Sequence, residues 1–353
     1  MITPDPVVQA TGRVFLLTAA AFVVTMAWTP LLARLLYRYK LGKNIRLASD
    51  APVYAKLHAH KAGTPTMGGV LIWVTMLAFA GFFALAAAFH IPGLRILHFV
   101  NREETLLPLG VLLATAVVGL GDDLMNIFRI GPKGGGLRMR HRVVLYAAIA
   151  AVGAWWFVDK LEWTTTRIPF VGPVDLGWWF VPFAILVLFA TAHSVNLIDG
   201  LDGLAGGTVL TAYGAYGAIA FVEGRYHLAA FIGVLVGSLL AFLWFNIPPA
   251  RFFMGDTGAM PLGITLGVIA LLTNEPFLLF IIGFPFVLES LSVIAQMMAR
   301  RWWGRRLFRS SPLHHHLEAM GWPESKIVMR FWVISGVMAV VGLTIFLLDR
   351  SAW

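Results

Sequence analysis

Five short segments of this sequence combine carboxylates, cations, histidines and glycines at spacings that could support chemistry. They read KAGTPTMGG (61–69), GLGDD (119–123), NLIDGLDG (196–203), FMGDTG (253–258) and SPLHHHLE (311–318). Asp and Asn supply the hard oxygen ligands that suit Mg²⁺, whereas Lys and His bind anions or transfer protons. These are the groups that phosphoryl transfer requires, because positioning and charge neutralisation provide most of its catalysis.

The carboxylates are the candidate catalytic and metal-binding residues. Asp122 and Asp123 are adjacent at the end of an apolar helix, where neighbours point about 100° apart. We therefore expect one to bind a metal and the other to orient a lysine or act on substrate. Asp199 and Asp202 would share a face if their segment were helical. Asp256 lies between glycines and could instead be a helix N-cap.

Cations and histidines are the candidate anion-binding groups. Lys61 and the backbone amides of the glycine-rich segment that follows it could bind a phosphate, although a helix-capping turn with a surface lysine is an alternative. His314, His315 and His316 are consecutive and cannot all reach one metal ion. One of them could contact a diphosphate or transfer a proton, and the alternative is an exposed histidine run.

The elements that position these segments are apolar helices. Apolar residues make up 59% of the 353-residue chain and charged residues 13%, which excludes an ordinary soluble enzyme and a disordered chain. The absence of cysteine excludes disulfides and thiol catalysis. We predict an all-α polytopic membrane protein with a single domain over residues 1–353. Its ten predicted spans cover residues 14–36, 67–90, 105–121, 143–159, 178–196, 204–222, 227–245, 259–273, 277–299 and 329–348.

The distribution of charge predicts the orientation of these spans. The net charge is +9, with 27 Lys and Arg. Twenty of these lie in odd-to-even loops or at the adjoining span ends, and seven lie on the other side, at Arg13, Arg95, Arg102, Lys160, Arg167, Arg225 and Arg350. Because Lys and Arg favour cytoplasmic loops, both termini should be outside and all five segments should face the cytoplasm. The excess of positive charge then reflects membrane orientation, and we expect no nucleic-acid partner. The outer loop 160–177 could form a small hairpin.

The five segments resemble those of the polyprenyl-phosphate N-acetylhexosamine-1-phosphate transferases. TPTMGG, PLHHHLE and RFW at 330–332 are most similar to the peptidoglycan branch of that superfamily. The resemblance covers essentially the whole chain, with the five motifs in family order. It implies Mg²⁺-dependent transfer of phospho-MurNAc-pentapeptide from UDP-MurNAc-pentapeptide to undecaprenyl phosphate, giving lipid I and UMP. It also implies a homodimer in the bacterial inner membrane.

The resemblance also implies roles for individual residues. Asp122, Asp123 and Asp256 match the family's essential aspartates, with Asp256 and one of the pair on Mg²⁺ and the other near the lipid phosphate. His314 matches the first residue of a histidine motif near the active site. Substrate-binding positions are matched by Lys61, Thr66, Asn196, Asp199, Asp202, Asn246, His315 and His316. Neither the motifs nor their spacing distinguishes direct attack by the lipid phosphate from a covalent aspartyl step.

Two positions depart from the family pattern, and several alternatives stay open. Asn126 and Arg142 stand where the family commonly has lysines, and Lys133, Arg138 or Arg140 could compensate. Glu289 lies within a predicted span and could be functional or could hold helices together.

The nearest alternative function is a related transferase that uses UDP-GlcNAc. A transporter and a divisome scaffold are alternatives from other classes, although the spans hold almost no charge to line a transport pathway.

Overall fold

The structure is a computed structural model that describes residues 5–42, 61, 63–132 and 135–351. Lys133, one of the candidate compensating cations, lies outside the described residues. The described chain forms helices α1 (Pro6–Arg38), α2 (Val70–Ala88), α3 (Leu106–Ile127), α4 (Met139–Lys160), α5 (Phe180–Ile198), α6 (Leu204–Val222), α7 (Tyr226–Asn246), α8 (Asp256–Leu272), α9 (Leu279–Ile282), α10 (Phe284–Trp303), α11 (Leu313–Ala319) and α12 (Glu324–Ser351), and strands β1 (Thr165–Ile168) and β2 (Gly172–Asp175).

The helices confirm a polytopic membrane protein in its general form. Within the described part of the chain, eight helices are long and apolar enough to cross a bilayer. A ninth span results if the segments Pro276–Ile282 and Phe284–Trp303, which meet at an 84° bend, are counted together. Helix α8 corresponds to the remaining predicted span but has only 17 residues. The general prediction is therefore confirmed, whereas the count of ten stays a prediction, as does the single domain over 1–353.

The loop between α4 and α5 forms the predicted hairpin. Strands β1 and β2 pair antiparallel, with Thr165 opposite Asp175 and Ile168 opposite Gly172. Arg167 of β1 is hydrogen-bonded to Asp349 near the end of α12. The hairpin is thereby attached to the last helix.

The start of α1 and the end of α12 lie at the same end of the helix bundle. Arg13 in α1 donates to the carbonyl oxygen of Tyr226 (3.0 Å), where α7 begins. Arg350, near the end of α12, pairs with Glu223, which follows α6. The start of α7 and the end of α6 belong to the end of the bundle opposite the five motifs. This arrangement agrees with an even number of crossings.

The ionic cluster at this end makes stability depend on pH. Burial raises the pKa of Glu275 to about 7, although Arg350 and Arg167 favour its charged form. A carboxyl group whose pKa is raised by folding stabilises the fold at low pH, and that contribution is lost as the pH rises from about 4.5 to about 7. We therefore expect the Tm to fall over this range, and to fall less in Glu275→Gln. Tryptophan-fluorescence melts of both proteins in detergent would measure this, and parallel pH curves would contradict it.

Candidate active site

Close packing of α3 against the start of α8 brings the acidic motifs together. A Cβ atom at Gly119 would lie 2.6 Å from the carbonyl carbon of Asp256, so a larger residue there would clash with backbone. The hydroxyl of Thr257 also donates to the carbonyl oxygen of Ala116 (3.1 Å). Helix α3 continues to Ile127, beyond the predicted end at residue 121, so Asp122 and Asp123 lie within the helix.

Asp123 binds the N-terminus of α8. Its two carboxylate oxygens accept the amide hydrogens of Asp256 (3.2 Å) and Thr257 (3.0 Å). The first amides of a helix have no partner within that helix, and a negative charge there is favourable. Asp123 therefore fixes the backbone that carries Asp256. The assignment of different catalytic roles to Asp122 and Asp123 stays a prediction.

Asp122 and Asp256 share one cation, the guanidinium group of Arg142. Arg142 pairs with Asp122 and lies 3.1 Å from the Asp256 carboxylate. Asp122, which is only 3% exposed, also accepts the amide hydrogen of Leu137 (2.5 Å). Asn196 donates to the other oxygen of Asp256 (2.8 Å). Two carboxylates from separate helices thus converge on one positive charge, where a divalent cation would find the same ligands.

The chemistry of these two carboxylates fits a Mg²⁺ ion. In the described part of the chain, no group of three or more His, Asp or Glu side chains is arranged to hold a metal ion. Mg²⁺ commonly binds through one or two carboxylates and completes its shell with water and substrate phosphates. The donor set of Asp122 and Asp256 fits that pattern. Asp123 faces backbone amides instead.

Lys61 is paired with two carboxylates, and its role in binding a phosphate stays a prediction. Its ammonium group lies 2.7 Å from Asp202 and 2.6 Å from Glu324. Burial alone would lower the pKa of Lys61, but these two partners outweigh it and raise the pKa. Glu324 is the first residue of α12, and it also accepts the amide hydrogen of Asp202 (2.7 Å). Lys61 therefore joins three separate segments of the chain.

The glycine-rich segment after Lys61 docks against the segment that precedes α8. The amides of Gly68 and Gly69 donate to the carbonyl oxygens of Phe253 (2.8 Å) and Met254 (2.9 Å). The sequence suggested that these amides could bind an anion. Because both already donate to carbonyl oxygens, they are not available for that role. Thr66 is buried, and its hydroxyl has no hydrogen-bond partner in the described residues. A Cβ atom at Gly255 would lie 2.8 Å from that hydroxyl oxygen and 2.6 Å from Asp123 Oδ2, which places Thr66 beside the acidic cluster.

Asp202 and Asn246 hold the segment between α5 and α6, in which Asp199 also lies. Asp199 follows the end of α5 and α6 begins only at Leu204, so Asp199 and Asp202 do not share a helical face. Besides Lys61, Asp202 accepts the amide hydrogen of Ala250 (3.0 Å). Asn246 accepts from the Gly203 amide (3.0 Å) and donates to the Phe252 carbonyl (2.9 Å). The contacts of Asp202 and Asn246 fix backbone around the site.

The three histidines have different neighbours. His314 is fully buried beside Glu289 and Gly200. His315 lies 2.7 Å from Glu318, with its ring 4.1 Å from that of His314. His316 accepts the amide hydrogen of Arg309 (3.2 Å). Among the three, His314 is the one that reaches the segment 196–203.

The segment 196–203 connects the predicted clusters. Asn196 contacts Asp256, Gly200 contacts His314, Asp202 contacts Lys61, and Gly203 contacts Asn246. Trp332 of the RFW motif also donates to the Gly203 carbonyl (3.1 Å). The sequence analysis did not identify Glu324 as a partner of Lys61 and Asp202. The only local signal is its position as an acidic residue at a helix start, directly after Gly-Trp-Pro.

Comparison with known proteins identifies the family. A family model described as glycosyl transferase family 4 matches residues 105–274, and a model described as phospho-N-acetylmuramoyl-pentapeptide-transferase signature 1 matches residues 61–72. A protein of Chloroflexus aurantiacus named phospho-N-acetylmuramoyl-pentapeptide-transferase is 40% identical over 354 residues, which cover 97% of this chain and 91% of that protein. The chain belongs to the phospho-N-acetylmuramoyl-pentapeptide transferase family.

Other members of the phospho-N-acetylmuramoyl-pentapeptide transferase family are similar over nearly their full length. One from Desulforudis audaxviator is 41% identical over 349 residues, covering 96% of this chain and 97% of the relative. One from Clostridium kluyveri is 36% identical over 324 residues, covering 91% and 96%. The resemblance read from the motifs is confirmed. Within this transferase chain, Arg142 stands at a position where the family commonly has lysine, and it contacts both Asp122 and Asp256.

Proposed function

We propose that this chain transfers phospho-MurNAc-pentapeptide from UDP-MurNAc-pentapeptide to undecaprenyl phosphate, giving lipid I and UMP. In this reaction an oxygen of the lipid phosphate bonds to the sugar-bearing phosphorus of the nucleotide, and the bond from that phosphorus to UMP breaks. The proposal is supported by family membership. The structural observation that carries it is the convergence of Asp122 and Asp256 on one cation.

Mg²⁺ is the cofactor that this arrangement supports best. Asp122 and Asp256 would hold it, with Asn196 keeping the Asp256 carboxylate in place. When bound, such a cation neutralises phosphate charge and stabilises the leaving UMP. Arg142 supplies a further positive charge beside both carboxylates and would also pair with a substrate phosphate. Asp123 keeps the first turn of α8 in register with α3.

An apolar groove supports binding of the lipid substrate. A cavity of 440 Å³ lies where α5 faces the bend before α10, and its lining is almost entirely apolar, including Phe183, Val187, Ala190, Phe280, Phe286 and Leu291. Ser194 and Ser290 also line it and are hydrogen-bonded to each other (2.7 Å). Ser194 lies two residues before Asn196, which contacts Asp256. A polyprenyl chain in this groove would bring its phosphate toward the carboxylates.

Filling this groove should weaken lipid use selectively. Ala190 is exposed and lines the groove, so Ala190→Trp is expected to raise the KM for undecaprenyl phosphate roughly tenfold, about 1.4 kcal/mol. The KM for the nucleotide should change little. Ala218→Trp is a matched control, because Ala218 is also exposed and lines a different apolar groove of 410 Å³ between α1, α6 and α7. Equal effects of both variants would contradict the assignment of the lipid to the first groove.

We also propose ten crossings, both termini outside, and a cytoplasmic site, which the distribution of Lys and Arg supports. Because the chain contains no cysteine, single cysteines can report the side directly. In intact cells an impermeant thiol reagent should label Asp175→Cys in the hairpin but not Arg305→Cys. The reverse labelling pattern would overturn the proposed orientation.

Family resemblance supports a homodimer, which light scattering of purified protein would test.

The decisive test of function is product analysis with purified protein. With UDP-MurNAc-pentapeptide, undecaprenyl phosphate and Mg²⁺, we expect equal amounts of UMP and lipid I. Formation of a polyprenyl-diphosphate GlcNAc from UDP-GlcNAc, without lipid I, would instead indicate the related transferase. Uptake of substrate into proteoliposomes without UMP release would indicate a transporter.

A further inference from the structure

Glu289 is a buried carboxylate in direct contact with a candidate active-site histidine. It lies in the second turn of α10, and both it and His314 are 0% exposed. One Glu289 oxygen accepts the amide hydrogen of His314 (3.1 Å), and the other lies 3.2 Å from Nδ1 of the His314 ring, an ion-pair contact that is not aligned as a hydrogen bond. A charged group buried in this way is costly unless it is paired. The Glu289 carboxylate therefore contacts both the backbone amide and the ring of His314.

The other ring nitrogen of His314 faces the connecting segment of the site. A Cβ atom at Gly200 would overlap His314 Nε2 and lie 2.9 Å from Cε1, so the ring sits directly against the backbone there. Nε2 is buried and has no hydrogen-bond partner among the described residues. Four residues earlier, Asn196 contacts Asp256. Nε2 is consequently a polar atom without a hydrogen-bond partner, held beside the segment whose Asn196 contacts the carboxylate cluster.

We propose that Glu289 is a positioning residue that fixes the ring orientation and the tautomer of His314. A carboxylate charge 3.2 Å from Nδ1 favours the tautomer with its proton on that nitrogen, which leaves Nε2 as the acceptor that faces the segment 196–203. Glu289 acts through His314 and does not itself touch substrate. This inference rests on the proposed function, because the segment 196–203, which the ring faces, also contacts Asp256 of the proposed active site through Asn196.

Glu289→Gln tests the positioning role with little change in side-chain volume. An amide keeps an oxygen for the His314 backbone but removes the charge that orders the ring. We expect kcat to fall about 10- to 100-fold, the range typical for residues that orient a metal- or substrate-binding group, while both KM values and the Tm change little. Glu275→Gln is the matched control, because Glu275 is also a buried carboxylate but lies at the opposite end of the bundle. That variant should retain full kcat.

A double-mutant cycle separates positioning from a general structural role. In a His314→Gln background, Glu289→Gln should cost less than about twofold in kcat, because the residue through which it acts is already gone. An equal loss in both backgrounds would overturn the inference, as would full activity of Glu289→Gln. If the wild-type protein releases no UMP, the proposed function fails. If the wild type is active and the two losses are independent, the positioning role alone fails.

Discussion

Asp256→Asn is expected to lower Mg²⁺-dependent UMP release about 1,000-fold, equivalent to about 4 kcal/mol of transition-state stabilisation. Asp256 is one of the two carboxylates that converge on a single cation, and Asn196 holds its other oxygen. An amide of the same shape keeps the packing at the start of α8 but removes half of the negative charge available to Mg²⁺. The loss should therefore appear in kcat and in the Mg²⁺ concentration needed for half-maximal rate.

The control for this variant is an aspartate outside the site. Asp159 is exposed near the opposite end of α4, where it pairs with Lys160, so Asp159→Asn should retain wild-type activity and Mg²⁺ dependence. Tm values for both variants would confirm that the fold is kept. Undiminished lipid I synthesis by Asp256→Asn would rule out the metal role of Asp256.

Gly119→Ala is expected to lower activity about 100-fold, although the residue touches no substrate. The added methyl carbon would lie 2.6 Å from the Asp256 carbonyl carbon and 2.7 Å from the Thr257 nitrogen. Backbone atoms cannot rotate away as a side chain can, so α3 and α8 must separate by a fraction of an ångström or more. Misplacement of catalytic groups by about 1 Å can cost two orders of magnitude in rate. Asp122 and Asp256 lie on opposite sides of that contact.

The same helix supplies a closely matched control. A Cβ atom at Gly121, two residues further along α3, would meet no atom within 4 Å. Gly121→Ala should therefore keep full activity and should slightly stabilise the helix, because alanine favours helix more than glycine does by up to about 1 kcal/mol. UMP-release rates and Tm values for the two variants give the comparison. Equal activities of Gly119→Ala and Gly121→Ala would show that the close contact with α8 is not needed for catalysis.

Much of the membrane architecture and the grouping of the motifs could be predicted from the sequence. Long apolar segments must be helical in a bilayer, and their connections determine which loops share an end of the bundle. Asp122, Asp123, Asn196 and Asp256 could therefore be assigned to one region from the order of the spans alone. The hairpin between α4 and α5 was predictable for a similar reason, since β-branched residues precede a Gly-Pro turn signal.

The partners of individual polar groups could not be predicted, because they depend on contacts between distant segments. Lys61 pairs with Glu324, more than 260 residues away, and nothing near either residue indicates the other. The amides of Gly68 and Gly69 resemble an anion site in the sequence, but carbonyl groups of the segment before α8 occupy them. Glu289 was ambiguous for the same reason. Its contact with His314 depends on the chain returning through α11 to the side of α10.

Arg142 illustrates a departure that only the structure interprets. Its position differs from the common family pattern, and the sequence offered several neighbouring cations as replacements. The structure places the Arg142 guanidinium between Asp122 and Asp256. Arg presents a planar fork of donors that can serve two carboxylates at once, whereas Lys is a compact point charge.

The last turn of α12 has a practical consequence for handling the protein. Asp349 binds Arg167 in the hairpin, and it also accepts the amide hydrogen of Phe170 (2.7 Å). The next residue, Arg350, pairs with Glu223 and lies 3.6 Å from Glu275. A chain truncated before Asp349 would lose contacts to four partners in three separate loops. Affinity tags for purification should therefore follow a complete C-terminus, with a linker long enough to leave this turn undisturbed.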